Sequence, residues 1–401
     1  MVSTAYRYLI VGGGVAGASA VAGIRELDTD GAILLIGSES DRPYDRPPLS
    51  KQLWSGKKTV EKIFLRDEAF YAANGVELQL GVRVTGLDPV RKNIADDQQR
   101  TVHFDKLLLA TGAHPRTLAI PGSRLDGVYY YRTLADFRLL QARATAGASA
   151  VVIGGGFIGS EMAAALRLNG LAVTMIFPDA YLAGRVFPET LGRALLASYR
   201  ERGITVLTED TPTAFERQGD GITVHTRGGQ QVAADFVVVG VGVTPAIELV
   251  AAAGLTVGNG VVVNAELQTS VPEIYAAGDL ANYPDPALGE RRRVEHRDNA
   301  QKQGKLAGRN MAGAHELYTH LPFFYADLFD FGYEAVGEVN TQLEVVTDWQ
   351  QENHTGVIYY LKEGHVRGAM MCNVWDKVDA ARALITQPEA VTVEELHGAI
   401  W

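Results

Sequence analysis

Residues 8–17 read Tyr8-Leu9-Ile10-Val11-Gly12-Gly13-Gly14-Val15-Ala16-Gly17, an apolar run followed at once by the pattern Gly-x-Gly-x-x-Gly. Where a buried strand turns sharply into a helix, the first glycine of this pattern allows the turn. The second lets the backbone approach a pyrophosphate, and the third lets the helix pack on the strand. Gly12, Gly14 and Gly17 occupy these positions, and Glu39 follows about 20 residues later, where an acid accepts hydrogen bonds from an adenosine ribose. The stretch predicts a dinucleotide site on a β-α-β unit.

The same arrangement occurs a second time in the middle of the chain. The apolar run Ala150-Val151-Val152-Ile153 precedes Gly154, Gly156 and Gly159, and the later acid is Asp179. Glycine-rich packing loops without ligands are the alternative for either motif. Two motifs, each with its own strand and its own acid, favour two bound nucleotides, one of which can hand electrons to the other.

Three further segments end in small residues or an acid. Residues 107–112 are a short apolar strand that ends at Ala110-Thr111-Gly112, and residues 236–242 repeat that form and end at Gly242. Residues 274–279 end in Gly278-Asp279. Because ligands of open α/β sheets bind outside the carboxyl ends of strands, Asp279 is placed for a sugar or ribityl hydroxyl. A helix-capping aspartate is the alternative, and both roles can hold together.

Composition excludes several classes of protein. The chain has 401 residues, of which 47% are hydrophobic and 21% charged, as in a globular enzyme of two or three domains. A net charge of -10 argues against a binder of nucleic acid or anionic membranes. Residues 291–293 are three arginines, either a solvated loop or a docking patch. The apolar region 236–257 contains Pro245 and Glu248 and fails as a membrane span, so we expect a cytoplasmic protein.

The string Arg42-Pro43-Tyr44-Asp45-Arg46-Pro47-Pro48-Leu49-Ser50-Lys51 narrows the identity. It resembles the signature of the FAD-dependent ferredoxin reductases of bacterial oxygenase systems and of apoptosis-inducing factor. Residues 176–179, 288–296 and 323–337 favour the apoptosis-inducing factor branch. The resemblance implies that the first motif holds FAD and the second holds NAD(P)H. Asp179 favours NADH over NADPH, because a carboxylate there accepts from ribose hydroxyls and repels a 2′-phosphate.

The resemblance also implies the domain layout. The fold class is α/β, with two Rossmann-like dinucleotide-binding domains and a small α+β C-terminal domain. We expect residues 1–122 and 244–314 to form the FAD domain, 123–243 the NAD domain and 315–401 the C-terminal interface domain. In that last domain, residues 333–339, 343–349, 356–361 and 366–373 read as strands, Glu363-Gly364 as a tight turn, and residues 376–385 as a helix.

Hydride transfer needs the negative charge of a reduced flavin to be compensated, and a lysine with a carboxylate partner can do this. The resemblance maps these roles to Lys51 and Glu161. A surface lysine, and an acid on the first turn of a helix, are the alternatives.

The resemblance assigns further roles around the flavin. It makes Phe157 the gate of the nicotinamide pocket and sets Glu295 and His296 at the flavin's other face. Tyr325 stands where many relatives have a ring-covering tryptophan. A core Phe157, a structural His296 and a core Tyr325 are the alternatives.

The remaining predicted cofactor contacts are two arginines and a set of small or apolar residues. Arg46 and Arg116 carry guanidinium groups suited to the FAD phosphates. The others are Ala110, Thr111, Gly112, Ile158, Gly242 and Gly278.

Cysteine content limits the chemistry. Disulfide reductases of this architecture need a cysteine pair beside the flavin, but this chain has the single Cys372, in an apolar strand where a buried structural thiol is the default. No group of Cys or His has metal-ligand spacing. Electrons must therefore leave directly from the flavin, to a ferredoxin, a quinone or another acceptor. The alternative function is a slow NADH oxidase that forms a stable charge-transfer complex and thereby controls dimerisation or partner binding. In this family the C-terminal domain often carries the dimer or partner interface, so the resemblance is compatible with a homodimer.

Overall fold

A computed structural model describes residues 4–401 of the chain. They form two compact units that are each discontinuous in sequence. Unit 1 contains residues 4–45, 60–114 and 244–322, and unit 2 contains residues 46–59, 115–243 and 323–401. The short strands β7 (Ala113–Pro115) and β16 (Val243–Pro245) cover two of the points at which the chain passes from one unit to the other.

Unit 1 is built around a mixed sheet and two long helices. Its strands are β1 (Thr4–Val11), β2 (Ile33–Gly37), β3 (Val76–Leu80), β4 (Val84–Asp88), β5 (Asn93–Asp96), β6 (Thr101–Leu109), β17 (Val257–Gly258), β18 (Gly260–Val262), β19 (Ile274–Ala276), β20 (Ala281–Asp285) and β21 (Glu290–Arg292). Its helices are α1 (Val15–Arg25), α2 (Glu68–Ala73), α6 (Glu248–Ala252) and α7 (Arg297–Met311).

The central strands of unit 1 run parallel, so their carboxyl ends share one edge. The order is β3-β2-β1-β6, and β19 also pairs parallel with β6. Residues 8–11 of β1, residues 107–109 of β6 and the whole of β2 and β19 are buried, which explains their continuous apolar runs.

Helices α1 and α7 of unit 1 pack at very short range because their facing residues are small. A Cβ added at Gly304 would lie 2.2 Å from the main-chain oxygen of Ala16, and one at Gly308 would lie 2.2 Å from that of Ala20. A larger side chain at either glycine would push the two helices apart.

Unit 2 contains a parallel sheet, a small antiparallel sheet and the C-terminal sheet. Its strands are β8 (Val128–Tyr130), β9 (Ser149–Ile153), β10 (Ala172–Ile176), β11 (Thr205–Leu207), β12 (Pro212–Gln218), β13 (Gly221–Thr226), β14 (Gln231–Ala234), β15 (Phe236–Val239), β22 (Phe323–Leu328), β23 (Phe331–Gly337), β24 (Glu344–Gln351), β25 (Thr355–Lys362) and β26 (His365–Cys372). Its helices are α3 (Leu134–Arg143), α4 (Phe157–Leu168), α5 (Glu189–Glu201), α8 (Val378–Thr386) and α9 (Val393–Leu396).

The parallel sheet of unit 2 has the order β11-β10-β9-β15-β8. The C-terminal sheet is antiparallel, in the order β22-β23-β26-β25-β24. Its four predicted strands and its helix are confirmed as β23–β26 and α8. Glu363 and Gly364 have φ values of 53° and 75° between β25 and β26, as a type I′ hairpin turn requires. The predicted α/β class is confirmed, while the predicted three-domain boundaries stay a prediction.

Candidate functional site

The first glycine motif forms a tight turn at the carboxyl edge of the unit 1 sheet. Gly12 has φ 129°, and a Cβ there would lie 2.1 Å from the main-chain oxygen of Ala110, at the end of β6. A Cβ at Gly17 would lie 2.1 Å from the oxygen of Gly12. No atom lies within 4 Å of a Cβ built on Gly14. The loop is therefore closed where it touches the sheet and open at Gly14, where a pyrophosphate would approach.

Strand β19 delivers a second loop to the same edge. Gly278 has φ 78°, and its N–H donates to Oε1 of Gln303 at 2.9 Å. Gln303 is fully buried, and its Nε2 has no hydrogen-bond partner among the described residues. Asp279 is the middle residue of a 3-10 helix, Gly278–Leu280, whose N-cap is Ala277. The alternative interpretation of Asp279 as an N-cap is therefore wrong.

Arg293 holds this loop in place. One guanidinium nitrogen donates to the main-chain oxygen of Asp279 at 3.0 Å and to Oε1 of Glu295 at 2.6 Å, and Nε donates to Asn259. Arg292 forms an ion pair with the buried Asp285 at 3.1 Å. Arg292 and Arg293 fit neither a solvated loop nor a docking patch, because both side chains are bonded to other segments of unit 1.

Glu39 and His296 are two further predicted contacts in unit 1. The hydroxyl of Tyr44 donates to Glu39 at 2.5 Å. His296 is the half-buried N-cap residue of α7. Burial lowers the pKa of His296 from 6.5 to about 4, although Asp279 and Asp298 oppose the shift. Its imidazole is therefore neutral at pH 7.

The second motif repeats the geometry of the first in unit 2. Gly154 has φ 118°, and a Cβ there would lie 2.3 Å from the main-chain oxygen of Gly240, just after β15. A Cβ at Gly159 would lie 2.0 Å from the oxygen of Gly154, and nothing lies within 4 Å of one at Gly156. The next residues, Phe157 and Ile158, are 37% and 38% exposed.

Asp179 and Gly242 follow neighbouring strands of that sheet. Asp179 is exposed after β10, and its main-chain oxygen accepts from the N–H of Glu209 at 3.2 Å. Gly242 follows β15 with φ 96°. Its oxygen accepts from the N–H of Arg116 at 2.9 Å, and the Arg116 side chain bonds the oxygen of Val243.

Unit 2 also contains a buried ion pair. Lys51 follows the 3-10 helix Pro47–Ser50, and its Nζ lies 2.6 Å from Oε1 of Glu161 on α4. Their side chains are only 9% and 4% exposed. Burial raises the pKa of Glu161, and the Lys51 ammonium opposes that rise. The Lys51 Nζ also lies 5.1 Å from the centre of the Tyr325 ring on β22.

Three details differ from the sequence-based expectations or complete them. Because α4 begins at Phe157, Glu161 lies on the second turn of the helix, not the first. Lys51 is buried, so the surface-lysine alternative is wrong. Arg46 donates to the main-chain oxygen of Arg132 at 2.9 Å within unit 2. Its predicted contact with FAD, like the other cofactor contacts, stays a prediction.

Sequence reasoning missed three residues at these edges. They are Gln303, Arg293 and Ser50, whose hydroxyl donates to Oε2 of Glu161 at 2.5 Å. The polar pattern of α7 gives no sign that Gln303 turns inward, and Arg293 is hidden within a run of three arginines. Ser50 could have been considered because it adjoins Lys51 in the quoted string.

The residues fit a dinucleotide at each edge. Open space at Gly14 and Gly156 leaves room for a pyrophosphate at the beginning of α1 and of α4. The buried amide nitrogen of Gln303, which has no partner among the described residues, offers a hydrogen-bond donor in unit 1. Among residues 4–401 no helix is long and apolar enough to cross a membrane. Two dinucleotide edges and a buried lysine–carboxylate pair define a flavin-dependent, pyridine-nucleotide-linked oxidoreductase.

The comparisons with known proteins identify the family. The chain belongs to the pyridine nucleotide-disulphide oxidoreductases, whose profile matches residues 6–304. A second profile, the C-terminal domain of mitochondrion-associated apoptosis-inducing factor, matches residues 307–355. The chain is thus an NAD(P)H-dependent flavoprotein that uses FAD and NADH, and its single cysteine excludes the disulfide reaction.

The similar proteins include both groups that the sequence resembles, the ferredoxin reductases of bacterial oxygenase systems and the apoptosis-inducing factors. The ferredoxin–NAD(+) reductase component of the anthranilate 1,2-dioxygenase system of Burkholderia cepacia is 36% identical, over 94% of this chain and 93% of that protein. Apoptosis-inducing factor 1 of Dictyostelium discoideum is 33% identical, over 98% and 80%. The putidaredoxin reductase of a covalent complex with putidaredoxin superposes with a TM-score of 0.91 at 29% identity, covering 98% and 99%.

Proposed function

We propose that this chain takes electrons from NADH onto FAD and passes them to a ferredoxin. In the proposal, FAD occupies the unit 1 edge and NADH the unit 2 edge. The buried Lys51–Glu161 pair, in a chain with one cysteine, carries the proposal. Bound FAD supplies the chemistry of accepting two electrons together and releasing them singly. Ferredoxin is supported as the acceptor by the Burkholderia cepacia relative and by the similar reductase in complex with putidaredoxin.

In the proposal, Lys51 compensates the negative charge of the reduced flavin. The Lys51 side chain is 9% exposed and its ammonium group lies 2.6 Å from Glu161, so the side chain is largely excluded from water and its ammonium group is held in one direction. A fixed positive charge in a water-poor site stabilises developing negative charge strongly. Glu161 has a positioning role, since it orients the ammonium without meeting the substrate.

Two aromatic residues of unit 2 have roles in the proposal. Phe157 is partly exposed and packs against Phe324 with ring centres 5.5 Å apart, which suits a gate that nicotinamide displaces. Tyr325 lies against Lys51, and the proposal gives it the role of covering the flavin face from which an acceptor draws electrons. In unit 1, Glu295 and His296 complete the predicted border of the flavin.

An anaerobic titration with NADH tests the proposed function. The purified protein should contain one noncovalent FAD per chain, bleach with one equivalent of NADH, and reoxidise at once when a small [2Fe–2S] ferredoxin is added. Absence of flavin, or no bleaching by NADH, would disprove the proposal.

The other outcomes of the titration separate the possible acceptors. A persistent long-wavelength band with slow reoxidation by every acceptor would favour the role of the apoptosis-inducing factor relatives. Rapid reoxidation by a quinone, without reoxidation by the ferredoxin, would identify a quinone as the acceptor in place of a ferredoxin.

Size-exclusion chromatography with and without NADH tests whether the protein forms a homodimer. A cytoplasmic location is part of the proposal, and a single unpaired thiol is compatible with a reducing compartment.

A further inference from the structure

We propose that Ser50 is a positioning residue whose hydroxyl holds the Glu161 carboxyl group in place against Lys51. The proposal rests on the function proposed above, in which the Lys51 ammonium stabilises the reduced flavin. It adds a third member to the buried pair, a hydroxyl that opposes the effect of burial on the pKa of Glu161.

The geometry gives each carboxylate oxygen of Glu161 its own partner. Ser50 Oγ donates to Oε2 at 2.5 Å, and Lys51 Nζ lies 2.6 Å from Oε1. Ser50 is 5% exposed and Glu161 is 4% exposed. Because the two oxygens are bound from two directions, the carboxylate cannot rotate about its last torsion without losing both contacts.

The hydroxyl also acts against the effect of burial. Burial is the largest influence on Glu161 and raises its pKa, while Lys51 and the hydrogen bond from Ser50 lower it. Removing the hydroxyl therefore leaves a carboxyl group that takes up a proton at higher pH and then holds Lys51 less firmly. The titratable groups around Glu161 are Lys51, Asp327 on β22, Tyr199 on α5 and Tyr333 on β23.

The position of Ser50 is set independently of Glu161. The hydroxyl of the buried Tyr131 donates to the main-chain oxygen of Leu49 at 2.5 Å, and Trp54 Nε1 donates to Tyr131 at 3.3 Å. This contact fixes the backbone next to Ser50. The hydroxyl is therefore presented by the fold to Glu161, so removing it should leave the local backbone in place.

Three variants test the proposal by anaerobic stopped-flow reduction with NADH over a range of pH. Ser50→Ala should be reduced about tenfold more slowly at neutral pH, with its acid limb moved to higher pH, because a hydrogen bond to a charged group is lost. Ser50→Thr keeps the hydroxyl and should restore the rate and the pH profile. Ser55→Ala is the matched control, since the exposed Ser55 hydroxyl only contacts the oxygen of Gln52 at 3.3 Å.

Infrared spectroscopy of the oxidised protein gives a readout that needs no turnover. Ser50→Ala should show the carbonyl absorption of a protonated carboxyl group at higher pH than the wild type does, and Ser50→Ala/Glu161→Gln should lack it. No new absorption, together with an unchanged pH profile, would overturn the proposal.

Lys51→Met separates failure of this proposal from failure of the proposed function. If Lys51→Met is reduced at the wild-type rate, the role of Lys51 in the proposed function fails. If Lys51→Met is slow while Ser50→Ala behaves as wild type, only the role of Ser50 fails. If Ser50→Ala slows the Lys51→Met protein by a further tenfold, Ser50 does not act through Lys51 and the proposal is wrong.

Discussion

The two dinucleotide edges share the geometry of their glycines and differ in what surrounds it. In unit 1, Glu39 is bonded by Tyr44, and the Asp279 loop is held by Gln303 and Arg293. In unit 2, Asp179 is exposed and α4 begins with two partly exposed apolar residues. A preorganised edge loses less entropy on binding. The first edge therefore suits a resident cofactor and the second a cofactor that exchanges in each cycle.

An acid placed at the middle glycine of each motif should separate the two edges most strongly. Gly14 (φ -93°, ψ -169°) and Gly156 (φ -85°, ψ -166°) are the N-caps of α1 and α4, a position that favours aspartate. Gly14→Asp should fold but purify without flavin. Gly156→Asp should stay yellow but be reduced by NADH about 100-fold more slowly or worse, since a carboxylate would meet a phosphate.

Absorbance of the purified protein and stopped-flow reduction measure both effects. Gly14→Ala and Gly156→Ala add no charge and should cause smaller losses. Loss of flavin from Gly156→Asp, or its retention by Gly14→Asp, would reverse the assignment of the edges.

Asp279→Ala tests how much the first edge depends on one carboxylate. Flavin retention should weaken by about 1.5–3 kcal/mol, because a charge-assisted hydrogen bond to a cofactor hydroxyl is lost. The dissociation constant of FAD, measured by fluorescence, reports the change. Asp279→Asn is the matched control that keeps the side-chain shape, and it should lose less. Equal affinity for FAD in the wild type and in Asp279→Ala would show that this carboxylate is not part of the flavin site.

Asp179→Ala tests whether the unit 2 edge selects NADH over NADPH. Asp179 should accept from ribose hydroxyls and repel a 2′-phosphate, so its removal should narrow the preference for NADH over NADPH by about tenfold. The ratio of kcat/KM for the two nucleotides measures this. The nearby exposed Arg185 can favour a phosphate, and Arg185→Ala should move the ratio the other way. A wild-type enzyme that uses NADPH equally well would contradict the prediction.

Tyr325→Ala should affect reoxidation of the flavin more than its reduction by NADH. Its ring lies against Lys51, so truncation should open the flavin to oxygen and small quinones and speed reoxidation several-fold, with a smaller change in NADH reduction. Tyr325→Trp should lengthen the life of the reduced protein. The alternative is a core tyrosine, whose loss would cost about 3–5 kcal/mol of stability. A lower melting temperature with an unchanged reoxidation rate per flavin-loaded molecule would support that alternative.

The smallest expected effect concerns acid stability and His296. Burial depresses its pKa from 6.5 to about 4, so the unfolded chain binds a proton in this range that the folded chain does not. Stability should therefore fall as pH falls from about 6.5 to about 4. A shift of this size would be worth about 3 kcal/mol in a fully enclosed ring, but solvent around this half-buried one reduces it to on the order of 1 kcal/mol. Urea unfolding of the apoprotein should show a flatter profile for His296→Asn, and equal slopes would contradict the prediction.

The sequence predicts the parts of these sites that are local. Gly12, Gly154 and the hairpin at Glu363-Gly364 can be recognised in the sequence because each belongs to a short motif of adjacent residues. All of them have positive φ values in the structure. Residues brought together from distant segments do not. Gln303 lies 25 positions from Gly278, and Ser50 lies 111 positions from Glu161, so no periodicity links them. Glu161 was assigned to the first turn because helix starts are hard to place from a glycine motif alone.

The close packing of α1 on α7 has a consequence for the order in which the protein matures. Gly304 meets Ala16, and Gly308 meets Ala20, across nearly the whole length of unit 1 in sequence. The ribosome synthesises the first glycine motif early, but the loop at Gly278 and the helix that braces it emerge only after residues 115–243 are complete. Contacts this distant in sequence form late. If FAD occupies this edge, as proposed, it binds only after α7 has been synthesised, and a truncated chain that ends before α7 should purify without flavin.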